Sequence, residues 1–322
     1  MAQLDSLVFI LNKTTIDLLK KEDFGPILQE SKKSLYFNYQ YSSLCLVSIL
    51  NECQSLKTID LSEASLLSIP DSFSLYPGTK AVKWQLPPFF HFLVKEATIS
   101  SILRKVDGLE TFSLDIPPLT ENDILELKTL HNLSCFKSLK TYTLKATAAF
   151  LTEIGLTLLE EMINQISSLP SLETFKLQFE EPELSSLEVL KENLANFSTL
   201  KHLSLRFSFD YYVGNKPKEL PLQIPFNSLS NLITFCLITD SYNLLTKESA
   251  ITLLENIKDL KNLERFSIRG NGLRSLENEL FENLTKPIRK MKNFKEFEIE
   301  HANRIMKKSE EGIKIIDKNA RF

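Results

Sequence analysis

One apolar word recurs along this chain and limits its fold more than any other feature. Its clearest copy is Leu263-x-x-Phe266-x-Ile268-x-x-Asn271-x-Leu273. The Phe266/Ile268 alternation predicts a short strand with one buried face. Asn271 is expected to satisfy backbone groups where the chain turns off that strand. The same form appears as Leu56-Ile59-Leu61, Leu109-Phe112-Leu114, Leu139-Tyr142-Leu144 and Leu172-Phe175-Leu177. Leu200-Leu203-Leu205, Leu232-Phe235-Leu237 and Phe294-Phe297-Ile299 complete the clear set. Leu4-Leu7-Phe9, with Asn12 at the Asn position, fits as well; Lys32-Leu35-Phe37 is a weak match, and Ala81-Trp84-Leu86 a degenerate one. The eleven starts are spaced 24 to 33 residues apart. Eight clear copies in nearly regular phase mean that one supersecondary unit is repeated, each copy burying its apolar face against its neighbours.

Between words the apolar period changes to that of a helix. Ile154-Leu158-Leu159-Met162-Ile163-Ile166, Leu187-Leu190-Leu194-Phe197 and Ile251-Leu254-Ile257-Leu260 recur at three-to-four spacing. Leu276-Leu280-Phe281-Leu284 does so until Pro287, where the helix is expected to end. Thr120 and Thr246, each followed by acids, are expected N-caps. Residues 62–80 carry Pro70, Pro77 and Gly78 and predict an irregular segment. Residues 207–228 hold Pro217, Pro221 and Pro225 and cannot form a continuous helix.

One strand and one helix per unit of about 29 residues resembles the ribonuclease-inhibitor-like class of leucine-rich repeats. The resemblance covers nearly the whole chain. It implies an α/β leucine-rich-repeat solenoid, a curved horseshoe with a parallel β-sheet on the concave face and helices on the convex face. The expected organisation is a single solenoid domain over 1–303, followed by a charged, partly helical cap or tail over 304–322. The first word starts at Leu4, so no preceding segment covers its edge; that N-terminal edge is expected to be covered by a partner or a second copy.

Composition narrows the function classes. The chain has 322 residues, is 43% hydrophobic and 25% charged, and carries a formal net charge of -3, with no basic face to suggest nucleic acid. Only 8 glycines are present, so turns must be made through Asn, Asp, Ser and Pro. Cys45, Cys53, Cys135 and Cys236 make no C-x-x-C pair, and Cys45 and Cys53 would lie about 12 Å apart on a helix, too far to bridge. No signal peptide opens the chain and no apolar run approaches the roughly 20 residues of a membrane span. The expected setting is cytoplasmic, intracellular and reducing, within a cytoskeletal or other macromolecular complex. The sequons at Asn12, Asn132, Asn196 and Asn283 then carry no meaning.

No motif assembles a catalytic centre. His91, His131, His202 and His301 fall in separate units without metal-ligand spacing, and no phosphate-binding loop or nucleophile elbow is present. No enzyme activity, cofactor or metal is expected. The position after each leading apolar residue reads Lys57, Val82, Glu110, Lys140, Glu173, Lys201, Ile233, Glu264, Lys295. Strands about 4.8 Å apart would stack Lys140, Glu173 and Lys201 into a ladder that either stabilises the array or forms a recognition strip. The outward strand positions are small and polar, with a run of Thr. Toward the C-terminus they become charged: Arg206, Arg265 and Arg269, then Glu296, Glu298 and Glu300. Arg265 is expected beside Glu296, and Arg269 beside Glu300, as cross-strand pairs or as a docking patch. The aromatic runs Phe89-Phe90-His91-Phe92 and Phe207, Phe209, Tyr211, Tyr212 are either core beneath a loop or interface anchors. Candidate partner-binding residues are therefore Arg206, Phe207, Phe209, Tyr211, Tyr212, Arg265, Arg269, Glu296, Glu298 and Glu300.

The expected function is a non-enzymatic protein–protein interaction scaffold, a structural subunit of a multi-protein assembly, because the concave face is bland. The alternatives are a soluble regulator or inhibitor that binds an enzyme through the concave face, and a leucine-rich-repeat GTPase-activating protein, which rests on fold alone.

Overall fold

In the computed structural model of the protein the described residues are 7–9, 34–38, 58–63, 79–85, 106, 108–118, 127, 133, 136–147, 152–180, 184–208, 224–239, 245–270, 273, 276–291, 293–301, 304–309 and 312–317. The chain divides into two compact units, Met1–Leu172 and Glu173–Phe322. The even spacing of the repeat words gives no sign of that division.

In the first unit six strands pair in chain order, each parallel to the next. They are β1 (Leu7–Phe9), β2 (Ser34–Asn38), β3 (Thr58–Glu63), β4 (Ala81–Gln85), β5 (Thr111–Ile116) and β6 (Thr141–Thr147). Parallel pairing needs a crossover between strands, which the interval between words supplies. The words lie in register: Leu7 opposite Leu35, Leu35 opposite Ile59, Phe112 opposite Tyr142 and Leu114 opposite Leu144. The β2–β3 register shifts between Tyr36 and Asn38.

The degenerate unit is phased differently from its sequence reading. Val82 pairs with Phe112 and Trp84 with Leu114, so Val82/Trp84 is the core pair and not Trp84/Leu86. Both side chains are buried. The leading apolar position is filled by a buried threonine, Thr79, which hides the phase from an apolar template.

Helix α1 (Glu153–Ser167) follows β6. Thr152 caps it, its hydroxyl accepting from the Gly155 amide at 3.1 Å. Leu158, Leu159, Met162, Ile163 and Ile166 form its buried face. Ile154 is the exception to the predicted stripe, since it is exposed one turn before Leu158.

In the second unit β7 (Thr174–Glu180), β8 (His202–Ser208), β9 (Thr234–Thr239), β10 (Arg265–Arg269) and β11 (Glu296–His301) are again parallel and in chain order. The intervals carry α2 (Leu184–Leu194), a 3-10 turn at Phe226–Ser228, α3 (Lys247–Ile257) and α4 (Asn278–Arg289). Thr246 caps α3 as expected, accepting from Ser249 at 3.1 Å. Pro287 lies inside α4 and does not end it. It sits in the last turn, where only one interior amide is forfeited.

The tail also departs from expectation. Its described residues are strands and not helix: β12 (Arg304–Ser309) pairs antiparallel with β11, and β13 (Gly312–Asp317) antiparallel with β12. The parallel pairing of the repeats therefore changes sense after β11.

Alternate strand residues are buried in both units, with period two, as in β5 and β9. Aromatic contacts fill the gaps: Phe112 lies edge-on to Tyr142 at 5.6 Å, Phe175 stacks on Phe197 at 5.0 Å, and Phe235 stacks on Phe266 at 5.9 Å. Each such side chain contributes about 1.5–3 kcal/mol by burial. Apolar words in parallel register, with helices α2, α3 and α4 in intervals of the second unit, make this a leucine-rich-repeat fold of the α/β class.

Candidate interaction face

The strand residues that do not point into the core form rows across each sheet. Strand period places alternate residues on one face, and register aligns them between strands. In the first unit Thr111 is opposite Thr141 and Ser113 opposite Thr143. Asp115 and Lys145 are also opposite and pair at 3.4 Å. In the second unit one row runs Thr174, His202, Thr234, Arg265, Glu296, and the next Lys176, Ser204, Cys236, Ser267, Glu298. A third runs Gln178, Arg206, Ile238, Arg269. Cys236 is a free, half-buried thiol.

The predicted charged residues divide in three ways. Arg265 meets Glu296 at 3.9 Å, as expected of direct neighbours. Arg269 does not wait for Glu300: its Nε donates to Glu298 Oε1 at 3.0 Å, and its Nη2 contacts the same oxygen. Glu298 stands opposite Ser267, whose short side chain leaves room for this diagonal reach. Glu300 pairs through its backbone with Ile305. Arg206 is exposed on β8.

The one aromatic candidate among the described residues, Phe207, is not on this face. Phe207 is fully buried and packs edge-on to Phe179 at 6.4 Å, so it is core and no partner can touch it. Its place in the strand decides this, because it continues the inward alternation of Leu203 and Leu205. Phe209, Tyr211, Tyr212 and the run 89–92 lie outside the described residues, as do Asn271, Thr120, His91 and His131.

Rungs of a charge ladder form within each unit at the strand starts, Glu173–Lys201 among them. Glu110 Oε1 is 3.2 Å from Lys80 and its Oε2 3.2 Å from Lys140. In the second unit Glu173 pairs with Lys201 at 2.7 Å and Glu264 with Lys295 at 2.8 Å. Lys80, not Val82, takes the ladder position of the fourth repeat. Hydrogen bonds from Lys80 and then Lys140, reinforced by their charge, hold the Glu110 carboxyl below its ordinary value. The backbone repeats the same step. The carbonyl of each ladder residue accepts two amides from the next repeat: Glu110 from Lys140 at 2.9 Å and Thr141 at 3.0 Å, and Glu264 from Lys295 at 2.9 Å and Glu296 at 3.1 Å.

A second ladder escaped the sequence reading. In four repeats the residue just before the leading apolar position bonds back to a carbonyl of the preceding repeat. Ser171 donates to Lys137 at 2.7 Å, Asn231 to Ser198 at 2.7 Å, Asn262 to Ser230 at 3.1 Å and Asn293 to Lys261 at 2.6 Å. The signal was present, since these four words open on Ser or Asn before the apolar residue, but apolar matching discards the polar residue.

Among the described residues no group of three His, Cys, Asp or Glu is placed to hold a metal ion. No described helix is long and apolar enough to cross a membrane.

No family model matches the sequence, and no curated protein matches it. Among solved structures, the crystal structure of a TLR13–ssRNA13 complex is similar over 92% of this chain and 47% of that chain, at 12% identity and a TM-score of 0.38. The present chain thus spans about half the length of that neighbour. The fold rests on the register of the chain's own strands.

Proposed function

We propose that this protein is a non-enzymatic interaction scaffold that docks a protein partner on the outward face of its strands, as a structural subunit of a larger intracellular assembly. The observation that carries the reading is the register of that face. Thr, Ser and Cys side chains stand in aligned rows, so each unit offers a broad, level, hydrogen-bonding surface. Such a surface suits area-wide docking by a fixed neighbour. The soluble-regulator reading is second, favoured by the concentration of Arg265, Arg269, Glu296 and Glu298 at one end of the second unit. Charge of this kind steers encounter with a free partner.

Ser204→Trp tests the reading. It places a large ring at the centre of the face without touching the core. Tagged wild-type protein should sediment with a complex much larger than itself, and the variant, with an unchanged melting temperature, should not. A stoichiometric pair with one enzyme would replace the structural subunit by the regulator. Identical sedimentation of both forms would remove the face as a docking surface.

A further inference from the structure

Strands β8–β10 carry charge of one sign on this face. The charged outward residues described on them are Arg206, Arg265 and Arg269, with His202 on β8, and no acid stands among them. Acids stand only on the bordering strands, Glu180 on β7 and Glu296, Glu298 and Glu300 on β11. Between the basic columns lies β9, whose outward residues Thr234, Cys236 and Ile238 are neutral. His202 and Arg265 flank Thr234, and Arg206 and Arg269 flank Ile238. Two strand spacings separate the flanking columns by about 10 Å, and the two rows are four residues, about 13 Å, apart. Pairing with β11 does not withdraw the arginines from solvent: Arg265 remains 62% and Arg269 44% exposed.

We propose that this lane binds an extended acidic segment of a protein partner, laid along β9. The inference rests on the reading of the face as an interaction surface and specifies its chemistry. An extended chain has the same rise as β9, so carboxylates four residues apart would fall at the His202/Arg265 row and the Arg206/Arg269 row. Arginine is suited to this because its planar fork accepts a carboxylate in two-point contact. A nucleic acid fits less well, since its affinity comes from many phosphate contacts and this lane has few basic groups on a chain of net charge -3.

Fluorescence anisotropy with a labelled heptapeptide of glutamates tests the proposal on the full chain. Saturable binding is expected, lost progressively with added salt and weakened at least about tenfold by the double change Arg206→Glu and Arg265→Glu. The milder pair Arg206→Gln and Arg265→Gln should weaken it less, and both variants must keep the wild-type melting temperature. If the reversal variant does not fold, the glutamine pair alone decides. No binding, binding indifferent to these substitutions, or equally tight binding of a single-stranded oligonucleotide would overturn the proposal. The two readings separate cleanly: a partner displaced by Ser204→Trp while the heptaglutamate fails to bind would leave the face as a docking surface and remove the acidic segment.

Discussion

Glu110 holds two lysines at once, each at 3.2 Å. Its folded pKa is lowered, so its contribution is present above the unfolded value and is lost as pH falls through the folded one. Glu110→Gln should therefore flatten the acid limb of a stability–pH curve, which urea titrations from neutral to acid pH would read. Glu110→Lys sets three lysines in a row. The melting temperature should fall, and about 1 M salt, with a screening length near 3 Å, should recover most of the loss. A loss indifferent to salt would mean the three chains do not stack. Half of this was legible: Glu173–Lys201 follows from spacing alone, whereas Lys80 was concealed by Thr79 in the leading position. Gly270 shows a different limit. A Cβ there would overlap Thr239 Oγ1 and come 3.0 Å from Leu245 Cδ2. The sequence shows only a glycine after a strand, and the approach that demands it comes from a residue 31 positions earlier.

In the second unit each repeat strand carries a buried pair, and β9, β10 and β11 are preceded by polar links to the repeat before. Leu177 is 2% exposed on β7, and Leu177→Ala should cost about 2–5 kcal/mol in chemical denaturation. A cost below about 0.5 kcal/mol would contradict its burial. Asn262→Ala removes the bond to the Ser230 carbonyl and should cost about 0.5–1.5 kcal/mol. Asn262→Asp should cost more than Asn262→Ala, since it sets a carboxylate against that carbonyl; equal losses would show the amide is not the donor. Helix positions followed from period 3.6, yet α4 continues through Pro287. A proline in the last turn forfeits one bond, and the buried Phe281 and Ile288 on either side of it hold the turn in place.

Across the molecule the repeating backbone step should set the exchange pattern. Paired amides that share one acceptor, such as Lys140 with Thr141 and Glu264 with Arg265, cross from one repeat to the next. They should exchange among the slowest amides of their unit, because freeing them requires separating two repeats. Fast exchange at these amides beside slow exchange in α1 and α3 would show that helices, and not repeat stacking, carry the stability. The division into Met1–Leu172 and Glu173–Phe322 was not legible, because the words keep their spacing through it.

The repeating apolar word by itself determined the class of fold, the strand positions and most of the buried pairs, because burial on one face imposes a period that survives in sequence. It also determined that Arg265 meets Glu296, since direct neighbours follow from register. Only the tertiary structure decided what depends on space between elements. Arg269 turned to Glu298 because Ser267 left room. Phe207 became core by continuing an inward alternation into a stretch that read as loop. Arg304–Ser309 and Gly312–Asp317 became antiparallel strands although they carry no repeat word, because an existing edge offers hydrogen bonds to any segment that returns along it.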